Sequence, residues 1–263
     1  MIASFRAEWS RLTRRRALLA GVALVLVVAA GSAVLVLSAA EPARVASPDA
    51  LTPTLESLAS AGGGTEVFRV AAALAGTLTF IVFVGLFALE YARGTYRTML
   101  LHQPRRIALL AGKLLGLLAF AAVVLAALEI ATWAVAWIVA PAFGVDTARW
   151  TSVDALGSAV GDYGSAMLWV TGYAVFGMAV AILVRSVAPA LAIAIAWAGP
   201  FEHLLARAWS PARGYFPGLL LEVLGAGGVA GVSVTRAALA SCGYIALFAL
   251  VAAVVFRRRD VTA

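Results

Sequence analysis

The chain has 263 residues, of which 63% are hydrophobic and 13% charged, with a mean hydropathy of +0.98. That is far more apolar than a soluble domain needs to fill its core, so lipid is the expected solvent. The net charge of +7 does not mark a nucleic-acid binder, because no basic stretch interleaves with exposed aromatics and the arginines flank apolar runs. Cys242 is the single cysteine, which excludes an intrachain disulfide. His102 and His203 lack a second His or a Cys at ligand spacing, which argues against zinc or haem.

At the start of the chain, Ile2, Phe5, Trp9 and Leu12 fall three or four residues apart while Arg6, Glu8, Arg11 and Arg14 occupy other faces. This pattern predicts a helix over 1–16 lying in the headgroup plane. A spanning helix needs roughly 20 apolar residues to cross about 30 Å of hydrocarbon. The template is met at 17–40, 68–89, 114–140, 165–184, 187–205 and 237–256, which predicts an all-α integral membrane protein of six transmembrane helices in one domain over 1–263. The first run ends in Ser38, Ala39 and Ala40 but is longer than the roughly 7–15 apolar residues of a signal peptide, so it reads as a retained span.

Only Arg185 and Ser186 separate the fourth and fifth spans, a tight helical hairpin, and Pro200 before Glu202 and His203 is expected to kink or end the fifth. The outer segments are 41–67, with Pro42, Pro48, Pro53 and the run Gly62 to Gly64, and 141–164, with Asp146, Asp154 and Asp162. Neither is large enough for a folded domain. The stretch 216–234 contains Gly218, Glu222, Gly225, Gly227, Gly228 and Gly231 and reads as a seventh span or as outward re-entrant helices. Re-entrance is preferred, because a full span would place Arg257, Arg258 and Arg259 outside.

Basic residues set the orientation. With both termini in the cytoplasm, Arg6, Arg11, Arg14 to Arg16, Arg93, Arg97, Arg105, Arg106, Lys113, Arg185 and Arg257 to Arg259 lie inside, fourteen of the twenty. Arg44, Arg69, Arg149, Arg207, Arg213 and Arg236 lie outside.

The link between spans two and three, EYARGTYRTMLLHQPRRIALLAGKLLG from Glu90 to Gly116, is too long and too ordered for a turn. Gly94 can break the incoming helix, Thr95 can cap a short helix running to Leu101, and Pro104 ends it. Met99, Leu100 and Leu101 then form an apolar knob ringed by Arg93, Arg97, Arg105 and Arg106, suited to a groove on a soluble partner. The arginines would also anchor to anionic lipid, but anchoring needs neither Gly94, Pro104 nor a central Leu pair.

At Glu90, Gly94, Thr95, Arg97, Leu100, Leu101, Pro104, Arg105, Arg106, Gly112 and Lys113 the sequence resembles the permease subunits of type-2 ABC exporters, also called type V ABC transporters. His102 with Gln103 departs from the pattern, where a small residue is commoner. The resemblance implies that this segment holds a coupling helix contacting a separate ABC ATPase, that two permease subunits form the translocation path as a homodimer or heterodimer, and that cargo is exported across the cell membrane. It also implies the interfacial N-terminal helix and the outward re-entrant helices. No phosphate-binding loop is present, because the sole lysine, Lys113, is followed by Leu114. ATP and magnesium are therefore expected on the partner, and this chain is expected to bind no cofactor of its own.

Glu129 sits near the centre of span three, where an ionised carboxylate costs several kcal/mol unless it faces protein or water, and is the candidate for the translocation path. The alternative is a neutral acid bonded to a neighbouring helix. Gly112 with Gly116 and Gly227 with Gly231 form GxxxG pairs that read as helix-packing sites. Trp133, Trp137, Trp150, Trp169, Trp197 and Trp209 read as an interfacial belt. A membrane-embedded enzyme using Glu129, or Glu202 with His203, and a non-transporting anchor or regulatory protein are the alternative functions; adjacent residues on a helix face apart, so Glu202 and His203 make a poor acid/base pair.

Overall fold

The computed structural model describes residues 1–40, 53–102, 104–229 and 231–258; Pro42, Arg44, Pro48, Gln103 and Arg259 lie outside them. Among the described residues all extended regular structure is helical: α1 (Ile2–Leu12), α2 (Arg15–Ala39), α3 (Leu55–Leu58), α4 (Gly63–Ala92), α5 (Thr95–His102), α6 (Arg106–Val139), α7 (Val153–Val184), α8 (Val187–Ala196), α9 (Glu202–Ala208), α10 (Pro217–Gly225) and α11 (Val234–Arg258). Among the described residues four helical segments are long and apolar enough to cross a membrane: α2, α6 extended through Phe143, α7 and α11. The two halves of α4 make a fifth if taken as one span. Leu24 and Val27 on α2 and Leu239 and Leu250 on α11 are more than half exposed, as lipid-facing positions should be.

The helix ends follow local chemistry. Thr54 Oγ1 accepts the Ser57 N–H at 3.1 Å and caps α3. Gly94, at φ +65°, turns the chain out of α4, and α6 starts two residues after Pro104. Arg185 also takes a positive φ, +59°, in the two-residue link between α7 and α8.

Two expectations need correction. The fourth span begins not at 165 but at Val153, because Ser152 Oγ accepts the Ala155 N–H and Asp154 sits in the first turn, where the helix dipole favours an anion. At Pro200 the expected interruption is present: α8 stops at Ala196, and Trp197–Phe201 forms a π-turn before α9, the wider turn absorbing the missing donor. The glycine-rich stretch yields only the nine-residue α10, about 14 Å long and too short to span. Gly227, Gly228 and Gly231 follow it at φ +72°, +103° and +82°, so Gly227 and Gly231 serve a turn and not a helix-packing face.

The chain divides into two compact units. One combines Arg14–Leu74 and Ala122–Met167. Its core joins Ala33, Val36 and Leu37 of α2 to Val67, Ala136 and Trp150, and Trp150 Nε1–H donates to the Leu58 carbonyl at 2.8 Å. The other combines Met1–Thr13, Ala75–Ala121 and the chain from Leu168 onward. Phe80, Phe176 and Phe248 stack through its centre at 5.1 and 4.6 Å, with Tyr173 against Phe80. Trp150 and Trp169 are 2% and 4% exposed, so these two belong to packed interiors and not to an interfacial belt.

Candidate functional site

The Glu90 to Lys113 segment is held by two structures of opposite character. The first is ionic. Lys113, 2% exposed, donates from Nζ to Glu8 Oε1 at 2.7 Å and to Glu90 Oε1. Arg11 pairs with Glu8 Oε2 at 2.8 Å and approaches Glu90 Oε1 at 3.9 Å. Two acids and two bases from α1, α4 and α6 thus close a neutral quartet, the arrangement that offsets the desolvation of buried charge. Glu8, which the helical pattern put on the polar face of α1, is buried for this reason.

Glycines bring these helices together. A Cβ on Gly112 would fall 2.9 Å from Ser4 Cβ, and one on Gly116 would fall 2.9 Å from Glu8 Cβ and 3.3 Å from the Phe5 carbonyl. The Gly112–Gly116 face of α6 is therefore the seat of α1, and small residues are what permit that approach.

The second structure is aromatic. Tyr96, one residue into α5 and 1% exposed, lies 4.6 Å from the Tyr91 ring and 5.4 Å from Phe256 near the end of α11. Burial, then the neighbouring Glu90, pushes its phenol well above the ordinary value, so it stays neutral. The Arg185 guanidinium stands 5.9 Å over Tyr91, and Arg106 donates to the Phe256 and Arg257 carbonyls at 3.3 and 3.4 Å. Arg106 is thereby spent on the C-terminus of α11, a position where cations are favoured.

The rest of the segment faces outward. Gly94 and Thr95 make the break into α5, where the Arg97 N–H returns to the Gly94 carbonyl at 3.1 Å. Arg93, Arg97, Pro104 and Arg105 are exposed. Leu101 is 80% exposed, whereas Leu100 and Met99 are half-buried and Met99 lines a recess with Glu8 and Lys113. Sequence reasoning missed Glu8, Tyr96 and Phe256. A lone lysine inside an apolar run was the available signal, since such a charge demands an acid partner.

Elsewhere, Glu202 is 1% exposed and its carboxylate accepts the Gly218 N–H at 3.2 Å and the Leu219 N–H at 2.7 Å. It caps α10 from another helix, satisfying amides that Phe216 and Pro217 cannot. His203 turns away to Glu222 at 3.2 Å, so Glu202 and His203 do not act together. Glu129 lines a cavity within the unit of α2, with Trp133, Trp150 and Tyr163. No group of three or more His, Cys, Asp or Glu suited to a metal occurs among the described residues.

Long apolar helices with a short helix between two of them make this a multi-pass membrane protein. The family model of the ABC-2 family transporter proteins matches residues 2–199, and the chain belongs to that family. The match runs from α1 into the π-turn, so it includes the ionic quartet, α5 and Glu129, while Glu202, α10 and α11 follow it. No curated protein matches the chain. The protein is a membrane permease of an ABC transporter, a transporter subunit of a kind that normally works with an ATPase subunit.

Proposed function

We propose that this chain is the permease subunit of an exporter in the cell membrane, with both termini in the cytoplasm, and that α5 is its coupling helix. Two permeases, identical or similar, enclose the path, and two separate ATPase chains carry ATP and magnesium. The orientation follows the basic-residue bias, and export follows the resemblance carried by the Glu90 to Lys113 segment.

The observation that carries the coupling role is the two-sided character of α5. Leu101 stands 80% exposed at one end, while Tyr96 at the other is clamped between Tyr91 and Phe256. An exposed leucine ringed by arginines supplies an anchor for a groove. A clamped tyrosine passes displacement of the helix to α4 and α11. In this reading α10, whose first amides Glu202 of α9 satisfies, belongs to the outward re-entrant segment before the last span.

The experiment is co-purification of the membrane-inserted chain with its ATPase. Replacing Leu100 and Leu101 by Asp should abolish association without loss of insertion. Undiminished association would remove α5 as the docking element.

A further inference from the structure

Within the unit formed by Arg14–Leu74 and Ala122–Met167, residues of α6 and α7 frame a cavity of about 810 Å³. Its wall is mostly apolar and aromatic, with Ala126, Trp133, Trp150, Leu156 and Tyr163 around Glu129. The polar ends of two aromatics are already engaged: Trp150 Nε1–H donates to Leu58, and the Tyr163 hydroxyl donates to the Ala122 carbonyl at 3.0 Å. These residues offer the cavity hydrocarbon and ring faces.

Glu129 is the exception. Its Oε1 is buried and has no hydrogen-bond partner among the described residues. Arg69 does not neutralise it, since that guanidinium pairs with Glu66 at 2.8 Å and approaches Asp162 at 4.0 Å. A buried carboxylate without a counter-ion at membrane depth costs several kcal/mol. A volume of a few hundred to a thousand Å³ with apolar walls and one convergent polar group is the shape of a small-molecule site.

We propose that this cavity binds a lipophilic monocation, an ammonium or phosphonium centre on an aromatic or alkyl body, with the charge at Glu129 and the body against Trp133 and Trp150. Charge complementarity selects this occupant. A neutral acyl chain would fill the space but leave Glu129 without a counter-ion, and an anion would meet its like charge. The indole faces add their own attraction for a cation. That the ligand is cargo rests on the permease reading above; its binding requires neither ATP nor a partner.

The test is equilibrium binding of radiolabelled tetraphenylphosphonium to the purified full chain in zwitterionic nanodiscs. Saturable binding is expected, weakened about tenfold or more by Glu129→Gln, a change that preserves shape and removes charge. Ala126→Phe, which fills the cavity, should weaken it as well. Neutral triphenylphosphine oxide should bind wild type and Glu129→Gln alike. Unsaturable partitioning, equal phosphonium affinity in the two proteins, or an equal loss of the neutral compound would each overturn the site. Wild-type chain that associates with its ATPase but binds no phosphonium overturns this inference alone; phosphonium binding together with ATPase association undiminished by the Leu100 and Leu101 changes overturns only the coupling role of α5.

Discussion

Lys113 Nζ lies 2.7 Å from Glu8 Oε1, across 105 positions of sequence, and fixes the N-terminal helix to the start of a spanning helix. The same ammonium binds Glu90 at the end of α4, so one cation joins the three elements that meet beside α5.

Lys113→Met would leave Glu8 and Glu90 buried with Arg11 as their only remaining cation in the quartet. Breaking such a group costs about 3–5 kcal/mol, more than an isosteric apolar replacement of the whole. Thermal unfolding of the detergent-solubilised chain should show a large drop for Lys113→Met. Glu8→Gln combined with Lys113→Met restores neutrality with Glu90 and Arg11 and should recover part of it. Additive losses in the double variant would mean that the quartet is not a unit.

Tyr96→Ala removes the ring between Tyr91 and Phe256 and should cost about 3 kcal/mol, whereas Tyr96→Phe retains the packing and should cost about 1 kcal/mol or less. Trypsin reports this locally, because Arg97 is exposed on the adjacent position of α5. Cleavage at Arg97 should accelerate in Tyr96→Ala and not in Tyr96→Phe; unchanged cleavage in both would show that the ring does not hold the helix.

Glu202→Gln keeps one acceptor oxygen but loses the charge facing the first amides of α10, a change of about 1.5–3 kcal/mol. Gly218→Ala attacks the same contact from the other side, since the new Cβ would lie 2.5 Å from Glu202 Oε2. Both variants should lower the unfolding temperature, and their combination should cost less than the sum. A fully additive pair would separate the two effects.

Gly64→Ala would place a methyl 2.7 Å from Trp133 Cδ1 and 3.2 Å from Trp150 Cδ2. Overpacking of this kind costs about 1–3 kcal/mol and should shift tryptophan fluorescence, because both rings line the cavity around Glu129. A native spectrum with native stability would mean that the two indoles can move apart freely.

What could be read in the residues was whatever depends on one residue or one continuous run. Apolar length located the long helices α2, α6, α7 and α11, since a helix in lipid must satisfy its own backbone. Gly94 and Pro104 located the short helix, because positive φ and a missing amide act on the spot. The Glu90 to Lys113 pattern carried the family, and the match to the ABC-2 family transporter proteins agrees with it. Segments with mixed signals read less well: three aspartates made 141–164 look like a loop, yet α7 begins at Val153, since its helical capping outweighs its polarity.

The sequence alone therefore determined the solvent, the class of fold and the family of this protein. Tertiary structure decided which charges meet: Glu8 with Lys113, Glu202 with the amides of α10, and Glu129 with no hydrogen bond to its Oε1 among the described residues. Periodicity assigns a residue to a face of its own helix, but the cost of burying its charge depends on what another helix, folded from distant sequence, brings against that face.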